Sequence, residues 1–179
     1  MKVGEIKKQL SIVIKAVEFL LSLDDEHELS FIDLIKVSAL FSPQRRTSIL
    51  EKHLKALNKW KVSPAKHDKG DYIDVNGKFF ELKTSATNAN GVINIDQVRI
   101  WQSVDYYVVV YWNLEEPEKS KKYVLTKEQM AEEVEKLGSA SHGTKSANKQ
   151  NQNIEYSIHL SIDNEWDKKY KVKFEELDT

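Results

Sequence analysis

GDYIDVNGKFFELKTS, residues Gly70–Ser85, is the stretch whose reading decides the fold. Asn76-Gly77 stands between two short runs rich in β-branched and aromatic residues. That is the strongest short-range hairpin signal, because a type I′ turn needs φ > 0 at both central positions. The hairpin carries charge where a hairpin needs none. Asp71 and Asp74 lie on the first arm. Glu81 and Lys83 lie two apart on the second, so they point to one face. A carboxylate and an ammonium inside an apolar strand cost free energy unless they are paired or bind a metal. The stretch therefore reads as a metal-holding site that the rest of the chain positions.

Working outward, 179 residues suit one domain. Forty per cent hydrophobic and 31% charged residues are ordinary for a globular protein with a core. With no cysteine, disulfides, thiolate zinc sites and cysteine nucleophiles are excluded, and a reducing, cytoplasmic setting is expected. The only apolar run of note, Ser11–Leu23, is interrupted by Lys15 and Glu18 and is too short to span a bilayer, so it reads as a core helix. The net charge of −1 does not advertise a nucleic-acid binder. It does not exclude one, because a cluster of carboxylates is itself acidic until a divalent ion fills it.

Residues 5–23 read as an amphipathic helix, with Leu10, Val13, Ile14, Val17 and Leu20 on one stripe. Ser30 to Asp33 start a second helix that runs to about Leu40. Ser42-Pro43 opens a third, striped by Leu50, Leu54 and Leu57. A short strand at Lys61–Ala65 and a polar run precede the hairpin. Asn94–Gln102 reads as a helix, with Gln97 and Trp101 on one face. Asp105–Trp112, DYYVVVYW, is apolar without alternation, the profile of a strand buried on both faces. A strand at Lys122–Leu125 follows, then Thr126 caps a helix over Lys127–Leu137 that Gly138 ends. Gly138–Asn153 is a long polar loop, and Ile154–Ile162 alternates like an exposed strand. The fold class is α/β (α+β), a central mixed β-sheet flanked by helices.

Asp71, nine intervening residues, then Glu81-Leu82-Lys83 resembles the signature of the PD-(D/E)xK nucleases, the superfamily that includes many type II restriction endonucleases. The resemblance covers roughly residues 45–112, and the element order is similar to that family's core. Gly70 stands where the family usually has proline. The resemblance implies a restriction-endonuclease-like domain with an N-terminal helical region (1–42), a catalytic core (43–125) and a C-terminal helix, polar loop and strand (126–179). It implies Asp71, Glu81 and the Leu82 carbonyl as Mg²⁺ ligands and Lys83 as the catalytic lysine. It also suggests an extra acidic ligand on the preceding helix, where Glu51 is the only acidic residue; a solvated glutamate at the edge of a core face is the alternative. The hairpin leaves a choice open. In a strict two-residue turn Tyr72 pairs with Glu81, and Asp74 rather than Asp71 shares a face with Glu81 and Lys83. A bulge, a three-residue turn or a splayed strand start restores Asp71.

The residue types suit the chemistry. Phosphodiester hydrolysis needs a water nucleophile and a way to hold charge on phosphorus, which carboxylates, a hard divalent ion and a lysine supply. The expected substrate is double-stranded DNA and the expected assembly a homodimer, since one active site cuts one strand. The polar loop, with Lys145, Asn148 and Lys149, and the segment after the hairpin, with Ser85, are expected to face DNA. Arg45 and Arg46 are candidate phosphate contacts. His67 and His142 are weaker ones. A resolvase, repair nuclease or nuclease toxin, or a DNA-binding module without catalysis, are the alternatives.

Overall fold

A computed structural model describes residues 31–86, 91–140 and 154–174. The chain divides into two compact units, Met1–Lys52 and His53–Thr179, where sequence alone suggests one domain. The expected first helix, His142, Lys145, Asn148 and Lys149 lie outside the described residues.

In the first unit, α1 (Phe31–Ser38) is followed by most of α2 (Pro43–Leu57), which runs across the division. Leu34, Ile35, Phe41 and Leu50 are buried. Arg46 turns inward along the chain. Its guanidinium donates to the carbonyls of Ser38 at 3.3 Å, Ala39 at 3.4 Å and Phe41 at 3.1 Å. These carbonyls lie at and beyond the end of α1, where a cation is well placed; the Ser38 carbonyl also accepts the Phe41 N–H at 3.1 Å. The expectation that Arg46 contacts phosphate therefore gives way to a capping role.

The second unit is built on a six-stranded mixed sheet in the order β1-β2-β3-β5-β6-β9. These strands are β1 (Lys61–Val62), β2 (Tyr72–Ile73), β3 (Phe79–Ala86), β5 (Tyr106–Trp112), β6 (Lys121–Thr126) and β9 (Lys171–Val172). Among the described residues only β3 and β5 run parallel, from Phe80↔Tyr106 to Ala86↔Trp112. A second, antiparallel sheet has the order β4-β8-β7, from β4 (Val92–Val98), β7 (Ser139–Ala140) and β8 (Tyr156–Ser161). Short helices α3 (Lys66–Lys69) and α5 (Trp166–Lys169) flank α4 (Lys127–Leu137) in the sequence. This is a mixed α+β fold with a mixed central sheet, as the element pattern implies. Among the described residues no helix is long and apolar enough to cross a membrane.

The apolar run at Tyr106–Trp112 is a central strand, and Tyr107 to Trp112 are all buried. Its odd-numbered side chains Tyr107, Val109 and Tyr111 join Ile93, Ile95, Ile158, Leu160, Met130 and Trp166 in one core. The second sheet and α4 therefore cover this face of the central sheet. Glu81, Lys83 and Ser85 are the register partners of Tyr107, Val109 and Tyr111, so strand alternation turns them to the same side. Around Phe80 an aromatic group forms instead: Trp60 lies 4.8 Å and Tyr106 5.0 Å away between ring centroids. Thr126 caps α4 in a full capping box with Gln129.

The polar run before the hairpin holds α3, the expected loop after Gly138 begins with β7, and a longer stretch also departs from expectation. Residues 94–102 are not a helix; β4 occupies Val92–Val98 and pairs with β8 from Val92↔Ser161 to Val98↔Tyr156. The buried residues Ile93 and Ile95 alternate with Asn94 and Asp96, a period of two. The ladder is interrupted between Ile95 and Val98, where Gln97 takes a left-handed φ of 56°. Gln97 and Trp101 therefore share no helix face.

Candidate active site

The turn of the hairpin settles which aspartate lies by Glu81. Asp74 N–H donates to Lys78 O at 3.0 Å and Gly77 N–H to Asp74 O at 3.1 Å. The loop is thus Val75-Asn76-Gly77, three residues, with only Gly77 at positive φ (82°). A type I turn closed by a left-handed glycine is the usual three-residue solution. Asp74 selects it: its Oδ1 accepts from the N–H groups of Asn76 and Lys78, both at 2.9 Å. Its Oδ2 accepts from the Tyr106 hydroxyl at 2.9 Å. Asp74 is buried, with one carboxylate oxygen held by the turn and the other by Tyr106.

The third loop residue shifts the register by one from the strict two-residue turn. Tyr72 faces Phe80 and Ile73 faces Phe79. One further step brings Asp71 level with Glu81. The Asp71 N–H donates to Phe80 O at 2.9 Å, and its Oδ2 accepts the Leu82 N–H at 3.2 Å. Gly70 makes this approach possible. Its φ is +75°, and a Cβ there would lie 2.5 Å from Phe80 O and 2.8 Å from Val104 Cγ1. Proline, with φ locked near −65°, cannot take this conformation, which explains why the residue before Asp71 is glycine here. Gly70→Ala is expected to lower unfolding stability by about 2–4 kcal/mol, from backbone strain and the backbone clash together. Chemical denaturation measures it; a loss below about 0.5 kcal/mol would show that the loop relaxes freely.

Glu81 is only 3% exposed. Its Oε1 accepts from Lys83 Nζ at 2.8 Å, and its Oε2 is buried with no hydrogen-bond partner. Burial pushes the Glu81 carboxyl above its ordinary range. The Lys83 ammonium pulls it back, the Asp71 carboxylate pushes it up again, and Arg99 lowers it slightly. The net result is a raised pKa. Tyr107, beside Glu81 in the parallel register, is likewise held above its usual range by burial and by the Glu81 charge. Its hydroxyl donates to Arg99 O at 2.8 Å. Arg99 Nε is paired with Glu155 Oε1 at 2.7 Å.

Of the residues expected from sequence, Asp71, Glu81, Leu82 and Lys83 come together on β3 and the chain entering β2. Glu51 lies half-buried on α2 in the first unit. Ser85 is buried, and its Oγ accepts the Asn94 N–H at 3.0 Å, so it ties β3 to β4 rather than presenting an open surface for DNA. Among the described residues no three His, Asp or Glu side chains form a group able to hold a metal, so the site itself offers two carboxylates. Arg99, Tyr107 and Glu155 are new. Tyr107 could be found in sequence only by knowing the β3–β5 register, and Arg99 only by knowing that β4 is a strand. Compared with protein-family models and with curated protein sequences, the chain matches none.

Proposed function

We propose that the protein is a Mg²⁺-dependent endonuclease that hydrolyses phosphodiester bonds of double-stranded DNA, acting as a homodimeric, cytoplasmic type II restriction enzyme. The observation that carries this reading is the Glu81 carboxylate. One oxygen is bound to Lys83, the other is buried without a partner, and the Asp71 charge repels it. A buried, unsatisfied carboxylate oxygen beside a second carboxylate is costly by itself and is relieved by a hard cation. The residues present thus fit a divalent ion.

Asp71 and Glu81 would hold it, with the Leu82 carbonyl as a third ligand; the remaining positions fall to water and phosphate, which suits an ion that keeps several waters. When bound, Mg²⁺ acidifies a coordinated water and neutralises phosphate oxygens. Lys83 holds Glu81 in place, orients the attacking water and stabilises charge developing on the phosphate. Water adds to phosphorus, one P–O ester bond breaks, and the products are a phosphate monoester and an alcohol.

Incubation of supercoiled plasmid with the full chain tests the reading. Discrete, Mg²⁺-dependent fragments are expected. A smear would make it a general nuclease, cleavage of branched DNA alone would make it a resolvase, and binding without cleavage would leave a DNA-binding module. The aspartates separate as well. Asp71→Asn is expected to abolish cleavage with little loss of stability. Asp74→Ala is expected to cost about 1–3 kcal/mol of stability, because three donors lose their acceptor, while the response to Mg²⁺ persists. Thermal denaturation with and without Mg²⁺ checks both; the opposite pattern would move the ligand to Asp74.

A further inference from the structure

We propose that Arg99 is a phosphate-contacting residue of this site, gripping a backbone phosphate of the DNA beside Glu81 and Lys83. The inference rests on the nuclease reading and adds a residue that the motif does not contain.

Three observations place Arg99. First, its backbone is fastened to the site: Tyr107 is the register partner of Glu81, and its hydroxyl donates to Arg99 O at 2.8 Å. Second, β4 changes direction immediately before it. Ile95 and Val98 are both buried although they lie three apart, and Gln97 absorbs the extra residue at φ 56°. A left-handed non-glycine residue in a bulge costs free energy and serves to re-aim the side chains that follow. Third, the guanidinium is oriented but not buried. Glu155 holds Nε at 2.7 Å, and the Arg99 side chain stays 25% exposed.

The chemistry follows from the charges. Asp71 and Glu81 repel a phosphodiester that comes to the site, and Glu155 puts a further negative charge beside the Arg99 guanidinium. Lys83 is already committed to Glu81 Oε1. Arg99 is the second cation whose field reaches Glu81. Its contact with Glu155 runs through Nε, on one edge of the planar fork. The paired Nη groups make the other edge, whose geometry matches two oxygens of a phosphate. Such a donor offsets the repulsion in the ground state and gains strength as negative charge grows on the phosphate oxygens.

Two measurements on the full chain test this. Binding of a fluorescent DNA duplex in Ca²⁺ is followed against salt, and Mg²⁺-dependent plasmid cleavage is followed separately. Each phosphate contact contributes about one unit to the slope of log affinity against log salt. Arg99→Ala is expected to reduce that slope by about one and to slow cleavage about 100-fold. Arg99→Lys keeps the charge, so it is expected to keep the slope while recovering only part of the rate. Thermal denaturation of both variants separates loss of the Glu155 pair from loss of DNA contact. A wild-type chain that cleaves DNA, with Arg99→Ala unchanged in slope and rate, overturns this assignment alone. A wild-type chain that neither binds nor cleaves DNA overturns the nuclease reading and the assignment with it.

Discussion

Lys83→Ala is expected to lower Mg²⁺-dependent plasmid cleavage by about 1,000-fold or more, while the protein remains folded. The size follows from how much this one ammonium does. It is only 12% exposed and bonded to Glu81 at 2.8 Å, in a place where water screens charge poorly. A donor fixed in that environment stabilises charge that develops during the reaction at no cost of reorganisation. Removal also strands Glu81. Its carboxyl is already raised by burial, and the Lys83 charge is the largest influence that opposes the rise. Without it the carboxyl holds its proton to higher pH and gives up its capacity to bind a cation. Two functions are therefore lost together, and added Mg²⁺ restores only the second. Single-turnover cleavage across a Mg²⁺ series measures both. Wild-type cleavage in Lys83→Ala would remove the lysine from the mechanism and leave the Glu81–Lys83 contact as a structural ion pair.

The parts of the site that were legible in sequence share one trait, which is that local chemistry decides them. Glu81 and Lys83 share a face in any register because they are two apart on one strand. The β5 run and the Thr126 capping box are local signals too. What was not legible depends on partners distant in sequence or on a side chain competing with the backbone. Asn76-Gly77 marks a hairpin correctly, but the dipeptide is silent about Asp74, whose carboxylate binds two backbone N–H groups and adds a third residue to the loop. That single residue decides whether Asp71 or Asp74 lies level with Glu81. Residues 92–98 offer weak evidence for either period. Their partner strand, Tyr156–Ser161, supplies the edge that makes them a strand. Arg99 becomes a candidate for the site only after that pairing and its bulge exist.

Mg²⁺ and protons are expected to compete for Glu81, and the competition gives a second large effect. In the folded chain the Glu81 pKa is raised above its ordinary value of 4.5. A raised carboxyl contributes stability that is fully present below the unfolded pKa and is lost as pH rises through the folded one. In a chelator, then, Glu81→Gln is expected to gain stability relative to wild type as pH rises from the unfolded value through the folded one, and to keep that gain at higher pH. Added Mg²⁺ reverses the order. On the proposed reading the ion binds the ionised carboxylate of the native state, so wild type is expected to be stabilised increasingly with pH, by about 2.7 kcal/mol when Mg²⁺ reaches 100 times its Kd. For a protein of this size that corresponds to a rise in Tm of roughly 5–10 °C. Glu81→Gln, without the charge, is expected to show almost none. The acid limb of the cleavage profile carries the same linkage, moving down by about one pH unit for each tenfold increase in Mg²⁺ above its Kd. Thermal denaturation across a pH series, with chelator or Mg²⁺, separates the two states of Glu81. Equal Mg²⁺ shifts in wild type and Glu81→Gln along the whole series would place the cation elsewhere and leave the buried Oε2 to water.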